Sequence, residues 1–347
     1  MQPEIKIGKR KIGPAYKPFV IAEIGINHEG SMAKAKRMIR DAHQAGAECV
    51  KFQSHVVEDE MIPEAKKVIP SHTTESIWEI MERCAFSEGQ EKELKDYTEN
   101  LGLIYLCTPF SRAAADRLRR LKVKAYKIGS GECNNYPLIE HITSFGKPII
   151  LSTGMNDLAS VRKAAAIFRK YAIPYALLNC TSMYPTPYDK IRLGGIVELK
   201  KAFPDAVVGQ SDHSVGNYTC FGAVALGAAI LEKHFTSDQK WPGPDMAISI
   251  NPRELRELIV GSEAIHQALG GGKTILKEEQ PVIDFAYASV VTISEIKAGE
   301  VFTKENIWVK RPGTGEILAR ELPRILGKRS RKDIAANTQL KRSDIFR

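Results

Sequence analysis

The chain has 347 residues, 43% of them hydrophobic, and a formal net charge of +9. This length allows one large core and a small accessory domain, while no apolar run approaches the roughly 20 residues of a membrane-spanning helix. The N-terminal sequence MQPEIKIGKR lacks the apolar core of a signal peptide, so a cytoplasmic protein is expected. Six cysteines without a CxxC pair predict reduced, buried thiols rather than disulfides or a zinc site.

The positive charge is concentrated near the C-terminus. From Lys304 to Arg347 there are 12 Lys and Arg against 5 Asp and Glu, which is a net charge of +7. Such a segment can bind nucleic acid, form a solvated surface or cover an anionic substrate. Nucleic acid is the least favoured, because the segment has no aromatic RNA motif, no helix-turn-helix pattern and no zinc spacing.

Most of the chain alternates between short apolar strands and amphipathic helices. The predicted strands are 19–25, 48–53, 103–110, a short one at Tyr126, 149–154, 175–182, 206–213 and 229–235. The predicted helices are 31–45, 77–83, 90–100, 112–121, 138–144, 158–171, 196–202, 218–227 and 252–269. Repeated strand–helix units predict parallel strands and fit a (β/α)8 TIM barrel of about 250 residues. A doubly wound open sheet is the alternative, but no GxGxxG motif follows the first strand.

The connection from Ser54 to about Glu88 is unusually long and contains the acidic run Glu58-Asp59-Glu60. Loops of this length inside a compact domain are often lids or binding elements. This connection is therefore a candidate for such a role.

Polar side chains that are unusual in apolar strands lie at or just after the predicted strand ends. They are Glu23, Lys51, Gln53, Thr108, Lys127, Ser130, Glu132, Ser152, Asn179, Thr181, His213, His234 and Asp245. In a barrel these ends form the C-terminal face, where active sites are found. Any one of these residues could be an interior polar group satisfied by a neighbour, but so many together indicate an enzyme.

The stretch AYKIGSGECNNYP, residues 125–137, combines a strand end with a turn. Gly129 and Gly131 allow a sharp turn and a close approach of the backbone to a ligand. Lys127 and Glu132 are predicted to face each other there, either as a structural ion pair or as functional groups.

His213 and His234 end the last two predicted strands, so they are expected to be neighbours in space. Two imidazoles facing one cavity suit a divalent metal with open positions, and two independently hydrogen-bonded histidines are the alternative. Glu23 and Glu132 offer proton transfer.

Two lysines and two serines at strand ends, Lys51, Lys127, Ser130 and Ser152, are candidates for holding a phosphate. A lysine ammonium would act there as a point charge.

Motifs along nearly the whole chain resemble the bacterial sialic acid synthase family. In chain order they are EIGINHEGS, VKFQSHVVEDEM, TPFSRAAADRL, YKIGSGECNNYPLI, GKPIILSTGMN, YPTPY, GQSDHS, LGAAILEKHFT and VKRPGTG. The resemblance implies condensation of phosphoenolpyruvate with N-acetylmannosamine to give N-acetylneuraminate and phosphate. It also implies a divalent metal, Mn²⁺ or Mg²⁺, and no Schiff base.

The resemblance assigns roles to individual residues of this chain. It implies metal ligands at His213 and His234 and acid–base carboxylates at Glu23 and Glu132. The candidate substrate-binding residues are Lys51, Gln53, Thr108, Lys127, Ser130, Ser152, Ser182, Tyr184, Asp245 and Arg311.

The C-terminal part resembles the family's small antifreeze-like (SAF) domain. The expected organisation is a barrel at 1–276, a linker at 277–288 and the SAF domain at 289–347. The resemblance implies a homodimer with exchanged C-terminal domains, in which Arg311 reaches the partner's sugar site. This gives the basic segment a role without nucleic acid or membrane.

Three positions depart from the family's familiar pattern, namely Phe52, Asn179 and Ser182. They make a legionaminic acid synthase, with a 2,4-diacetamido-trideoxymannose acceptor, the near alternative. A non-catalytic barrel that binds sugar phosphate or nucleic acid is a further alternative, supported only by the basic segment.

Overall fold

The computed structural model describes residues 2–70 and 73–346, so the outermost residues of the two predicted domains, Met1 and Arg347, lie outside it. The strands are β1 (Ile5–Ile7), β2 (Arg10–Ile12), β3 (Phe19–Gly25), β4 (Cys49–Ser54), β5 (Ile104–Pro109), β6 (Tyr126–Ile128), β7 (Ile149–Ser152), β8 (Tyr175–Cys180), β9 (Val207–Asp212), β10 (Ile230–His234), β11 (Ser289–Thr292) and β12 (Ile307–Lys310). The α-helices are α1 (Met32–Ala45), α2 (Val57–Glu60), α3 (Ile77–Cys84), α4 (Glu88–Asn100), α5 (Arg112–Arg120), α6 (Tyr136–Thr143), α7 (Leu158–Lys170), α8 (Gly194–Ala202), α9 (Tyr218–Ala225), α10 (Pro252–Ala268), α11 (Gln280–Ala286) and α12 (Leu322–Ile325).

Strands β3 to β10 form one eight-stranded sheet in the order β5-β4-β3-β10-β9-β8-β7-β6. All the strand pairs within it are parallel. The two ends of this order meet, because a Cβ at Gly129, just after β6, would lie 3.7 Å from Thr108 Cγ2 on β5. The predicted TIM barrel is confirmed.

Side-chain alternation divides the barrel core into two layers. On β3, Phe19 and Ile21 belong to the cluster inside the barrel. The intervening residues Val20, Ala22 and Ile24 belong to the cluster between the sheet and the helices. Both faces of each strand are therefore buried, which explains why the strands are apolar throughout most of their length.

Polar caps explain where several helices begin. Ser31, Ser76, Ser87, Ser111 and Asp157 each accept a hydrogen bond from a backbone N–H of the first turn that follows. Such caps satisfy N–H groups that have no partner within the helix.

An N-terminal hairpin closes one end of the barrel. Strands β1 and β2 pair antiparallel, and their side chains Ile5, Ile7 and Ile12 join the interior cluster beside Phe19 and Ile21. The hairpin is not predicted from the sequence, because two three-residue strands are too short to show a periodic pattern.

The chain divides into two compact units between Gly270 and Gly271. In the second unit β11 and β12 pair antiparallel. Its own core contains Val290, Ile296, Phe302 and Ile307 among other apolar side chains.

Two composition-based predictions concern cysteines and membrane spans. All six cysteines are buried and free, as predicted. Within residues 2–70 and 73–346, no helix combines the length and the apolar character that crossing a membrane requires.

Candidate active site

A cavity of about 320 Å³ lies at the carboxyl ends of the barrel strands. The predicted site residues that line it are Glu23, Lys51, Gln53, Thr108, Lys127, Ser130, Ser152, Ser182, Tyr184, His213, His234 and Asp245. The structure thus brings together side chains that come from all eight barrel strands or the loops after them.

The same alternation that builds the barrel core also orients the site residues. Glu23 lies two residues after Ile21 on β3, so it continues the inward face. On β4, Lys51 follows the inward Cys49 in the same way. The inward face of a strand therefore changes from apolar to charged within two residues.

Lys51 is buried at the base of the cavity and is surrounded by oxygen atoms. Its Nζ lies 3.0 Å from Glu23 Oε1 and donates to Thr108 Oγ1 at 3.1 Å. A second carboxylate oxygen, Glu232 Oε2, lies 3.7 Å away.

Lys127 is equally buried and pairs with a glutamate that differs from the predicted one. Its Nζ donates to Ser152 Oγ at 2.7 Å and lies 3.5 Å from Glu232 Oε1. The expectation that Lys127 faces Glu132 is wrong, because the Glu132 carboxylate accepts from Asn135 Nδ2 at 2.8 Å beside the start of α6. The turn after β6 directs Glu132 away from the strand's inward face.

Glu232 is the main site residue missed by the sequence analysis. It lies inside the apolar strand β10, lines the cavity and accepts from Ser211 Oγ at 3.0 Å. It precedes His234 by two residues, so both side chains project from the same face. That spacing is the signal in the sequence that identifies it.

The two buried glutamates have opposite charge preferences. Burial raises the pKa of Glu23, and Lys51 only partly opposes this effect. Burial also opposes ionisation of Glu232, but the positive charges of Lys127 and Lys51 outweigh it and lower the pKa of that carboxyl. The surroundings therefore favour the protonated form more strongly at Glu23 than at Glu232.

The two carboxyl oxygens of Glu23 have different surroundings. Glu23 Oε1 accepts from Lys51 and from Gln53 Nε2, which is 3.1 Å away. The other oxygen, Oε2, is buried and has no hydrogen-bond partner in the described part of the chain. Protonation on Oε2 keeps both contacts of Oε1, so Oε2 is the atom available for proton transfer.

One glycine is required by the packing at the cavity wall. A Cβ at Gly154 would lie 2.4 Å from Ser182 Oγ and 2.8 Å from Ser130 Oγ. The Gly154 N–H donates to Ser130 Oγ at 3.0 Å. Gly129 and Gly131, for which a close approach to a ligand is predicted, line the cavity.

His213 and His234 are neighbours, with ring centroids 5.4 Å apart. His213 Nδ1 lies 2.9 Å from the Thr181 carbonyl oxygen, so Nδ1 carries the proton and Nε2 is left for a ligand. The buried Nδ1 of His234 has no hydrogen-bond partner among the described residues, although Asp245 Oδ2 lies 3.4 Å away.

These two imidazoles fit part of a metal site. Burial lowers the pKa of His234 well below its usual value, which favours the neutral form that binds metal ions. In residues 2–70 and 73–346, no three His, Cys, Asp or Glu side chains form a metal-binding group. The chain would therefore provide two imidazoles and leave the other positions to substrate or water.

Tyr184 and Asp245 complete this side of the cavity. The Tyr184 ring stacks on His213 at a centroid distance of 4.3 Å and meets His234 edge-on at 6.2 Å. Burial raises the pKa of Asp245 to about 6. The Tyr184 ring therefore packs against both imidazoles, and the Asp245 carboxyl lies beside His234.

Comparison with known proteins places the chain in a family. Residues 38–274 match the NeuB family, and residues 287–345 match the SAF domain. The chain belongs to the NeuB family. Family membership makes it a sugar-acid synthase of the sialic acid type.

Individual relatives cover most of this NeuB-family chain. N,N'-diacetyllegionaminic acid synthase of Campylobacter jejuni is 37% identical, over 91% of this chain and 97% of that protein. N-acetylneuraminate-9-phosphate synthase of Mus musculus is 35% identical, over 87% of this chain and 85% of that protein. The crystal structure of N-acetylneuraminic acid synthetase from Leptospira borgpetersenii, 34% identical, superposes with a TM-score of 0.75 and covers 82% of this chain and 96% of that chain.

Two predicted residues of the NeuB-family chain do not line the cavity. Glu132 is half-buried and held by Asn135, while Ser130 and Gly131 just before it are lining residues. Arg311 lies in the second compact unit, directly after β12, and is exposed.

The three departures from the family pattern differ in position. Phe52 faces the helix layer and stacks on Tyr105 at a centroid distance of 5.7 Å. Asn179 donates to Gln210 Oε1 at 2.8 Å and does not line the cavity. Only Ser182 lines it, so Phe52 and Asn179 do not contact a ligand there.

The long connection after β4 forms part of the cavity wall. Pro70, Thr73, Ile77, Ile80 and Met81 from this segment are lining residues. Its role as a binding element agrees with its length, and it makes one side of an otherwise charged cavity apolar.

Proposed function

We propose that this protein condenses phosphoenolpyruvate with open-chain N-acetylmannosamine to give N-acetylneuraminate and inorganic phosphate, with Mn²⁺ or Mg²⁺ bound. The observation that carries the proposal is the cavity itself. Two buried lysines lie at its base, two imidazoles lie at its wall, and the same cavity is lined by Glu23, whose pKa is raised by burial. The reaction requires a site that binds an anion, a group that polarises a carbonyl and a proton donor.

Phosphoenolpyruvate would be held at the base of the cavity. Lys51 with Thr108 and Lys127 with Ser152 form two preorganised cation–hydroxyl pairs. Ser130 is oriented by its contact with the Gly154 N–H. Burial lowers the pKa of Lys127, and a trianionic ligand at this point would oppose that effect by favouring the charged form.

The bond-forming step needs one proton at a defined place. The methylene carbon of phosphoenolpyruvate attacks the aldehyde carbon, and the former aldehyde oxygen takes the proton from Glu23 Oε2. Holding both reactants in one cavity makes the step effectively unimolecular. The enol-ether carbon is left with cationic character.

The second half of the reaction uses the ionised carboxylate. Water adds to the cationic carbon and loses a proton, and phosphate then leaves by cleavage of its bond to that carbon. The family resemblance implies Glu132 as the second acid–base carboxylate. We assign this role to Glu232, because its carboxylate lines the cavity and Glu132 does not.

His213 and His234 would hold the divalent metal. A bound metal supplies Lewis acid polarisation of the aldehyde oxygen. The unpartnered His234 Nδ1 and the Thr181 contact of His213 support this assignment.

A legionaminic acid synthase is the second candidate, and one observation favours it. The wall formed by Ile26, Ile77, Ile80 and Met81 is apolar. A methyl group at C6 of a 2,4-diacetamido-trideoxymannose would bury apolar surface against this wall, whereas the C6 hydroxyl of N-acetylmannosamine would need a polar partner.

We also propose that Arg311 serves the sugar site of a partner subunit in a homodimer. Its support is the SAF match together with the exposed, planar guanidinium, which suits an acyl carbonyl better than lysine does. Mixing Arg311→Ala protein with a Glu23→Gln variant tests it, since mixed dimers regain one intact site. No recovery after confirmed subunit exchange would contradict the exchange.

Phosphate release is the decisive measurement of function. Turnover should require metal, phosphoenolpyruvate and sugar together, and comparison of the two acceptors by kcat/KM decides between the candidates. No release with either acceptor, after chelation and reloading with Mn²⁺ or Mg²⁺, would reject the proposed reaction.

A further inference from the structure

A row of four side chains in polar contact leads from the acidic run after β4 to Glu23. Glu60 Oε2 lies 2.8 Å from His55 Nδ1, and His55 Nε2 lies 3.1 Å from Gln53 Oε1. Gln53 Nε2 then donates to Glu23 Oε1 at 3.1 Å. No role in the reaction has been given above to Glu60 or His55.

His55 is built into this position. It is 3% exposed, and its ring stacks on Phe110 at a centroid distance of 4.8 Å and an interplanar angle of 13°. Phe110 lines the cavity, and Glu60 lies in α2 with a half-buried side chain. The stacking leaves the imidazole only its two in-plane nitrogens for polar contacts.

Hydrogen-bond polarity assigns the protons along the chain. Glu23 Oε1 is an acceptor, so the Gln53 amide must present its NH₂ group to it and its oxygen to His55. His55 Nε2 must then be protonated and donate to Gln53 Oε1, while His55 Nδ1 faces Glu60 Oε2. The contact with Glu60 thus fixes the orientation of the ring whose Nε2–H holds the Gln53 oxygen.

The charges around His55 agree with this assignment. His28 is nearby, and burial together with repulsion from His55 lowers the pKa of His28 to about 3, so His28 is neutral. Glu91 is the other buried acid near His55, and its carboxylate is held by Arg117 and Ser54. Glu60 is the carboxyl group in direct contact with the His55 ring.

We propose that Glu60 and His55 are positioning residues that lock the Gln53 amide in one orientation. In that orientation Gln53 can act only as a donor within the cavity. Its oxygen is occupied by His55, one N–H holds Glu23 Oε1, and the second N–H can meet only an acceptor atom of the sugar, such as an acyl carbonyl oxygen. Released from His55, the amide can rotate and direct its oxygen at Glu23, which removes one of the two contacts that keep the proton on Oε2.

This inference rests on the proposed function, and a double-mutant cycle on phosphate release tests it. Glu60→Ala should lower kcat about tenfold, which lies within the usual range of interaction energies between residues in contact. The KM for phosphoenolpyruvate should stay within about twofold of the wild-type value. Glu60→Gln keeps an acceptor oxygen for His55 and should recover most of the loss. Glu58→Gln, an exposed neighbour on the same helix, is the matched control and should match wild type.

The cycle distinguishes positioning from a general structural effect. If Glu60 acts through Gln53, the Gln53→Ala/Glu60→Ala double variant should be no slower than Gln53→Ala alone. The inference would be overturned if the losses of kcat in the two single variants multiplied in the double variant. An equal rise in the KM values of both substrates would also overturn it. An inactive wild type would instead reject the proposed function.

A spectroscopic measurement is independent of turnover. The ¹⁵N chemical shifts of His55 should show a protonated Nε2 in folded wild type, and Glu60→Ala should weaken the preference for a proton at that nitrogen. A His55 Nε2 without a proton in the folded wild-type protein would overturn the proton assignment and with it the locked amide.

Discussion

The two ends of the barrel interior are built from the same strands and have opposite chemistry. At the N-terminal end Phe19 and Leu106 pack with Ile7 of the hairpin in an apolar cluster. At the C-terminal end the same inward faces carry charged groups such as Lys51 and Glu232, which are 4% and 5% exposed.

The contrast separates the residues that stabilise the fold from the residues that carry out the chemistry. Apolar burial stabilises the fold at about 25 cal/mol per Å², whereas a buried ion pair contributes little or costs free energy. Charges that are retained at one end despite this cost indicate a function there. Variants at the two ends should therefore affect different measurements.

The largest expected effect is at the imidazole wall. His234→Ala should lower metal-dependent turnover at least about a hundredfold, because a Lewis acid supplies several kcal/mol of transition-state stabilisation. Steady-state phosphate release after chelation and metal reloading measures this. His43→Ala, an exposed histidine on α1, is the control, and full activity of His234→Ala would contradict the metal assignment.

A variant at the N-terminal end of the barrel interior should reduce the stability of the fold and leave activity unchanged. Ile7 is 1% exposed in the interior cluster, so Ile7→Ala should reduce the free energy of unfolding by about 2–5 kcal/mol. Denaturant unfolding measures this loss, and kcat per folded molecule should stay at the wild-type value. Lys6→Ala, on the exposed face of β1, should change neither quantity, and a stable Ile7→Ala protein would show that the hairpin does not close the barrel.

Lys127→Met keeps much of the side chain's bulk and removes one buried charge. Charged hydrogen bonds are worth about 1.5–3 kcal/mol, so the KM for phosphoenolpyruvate should rise roughly ten- to hundredfold. Lys201→Met, an exposed lysine on α8, controls for loss of charge. A change in the sugar KM alone would mean that the phosphate lies elsewhere in the cavity.

The smallest effect is expected from the half-exposed ion pair between Arg169 and Asp205. Arg169 holds the pKa of Asp205 at about 2, below its usual 3.8. The stabilisation is present above pH 3.8 and disappears as the pH falls through about 2, and it should stay below about 1 kcal/mol because the pair is nearly half exposed.

Unfolding of wild type and Asp205→Asn at several pH values measures this contribution. The difference between the two proteins should shrink between about pH 4 and pH 2, and turnover at neutral pH should be equal. If the difference in unfolding free energy between the two proteins grew as the pH fell, the predicted direction of the pH dependence would be wrong.

The sequence predicts the barrel and its catalytic end because both depend on local patterns. Helical spacing and caps such as Ser31 locate the helices, and apolar runs locate the strands. Polar residues at strand ends then fall on one face of any parallel barrel.

Other features of the site depend on partners that are distant in the chain. Lys127 has two glutamates as possible partners, Glu132 nearby in sequence and Glu232 far from it, and only the closed barrel selects Glu232. Likewise, Phe52 and Lys51 are adjacent in sequence, yet the pleat of β4 turns Phe52 towards the helices and Lys51 into the cavity.

The sequence by itself determined the fold class, the family and the catalytic end of the barrel, since periodicity and motifs are properties of neighbouring residues. The tertiary structure alone decided which charges pair, which wall is apolar and how Gln53 is held. The reason is physical. Closing the barrel brings β4, β6 and β10 around one cavity and buries the charges on their inward faces, so each of these charges must be paired by whichever side chain the closure places within reach.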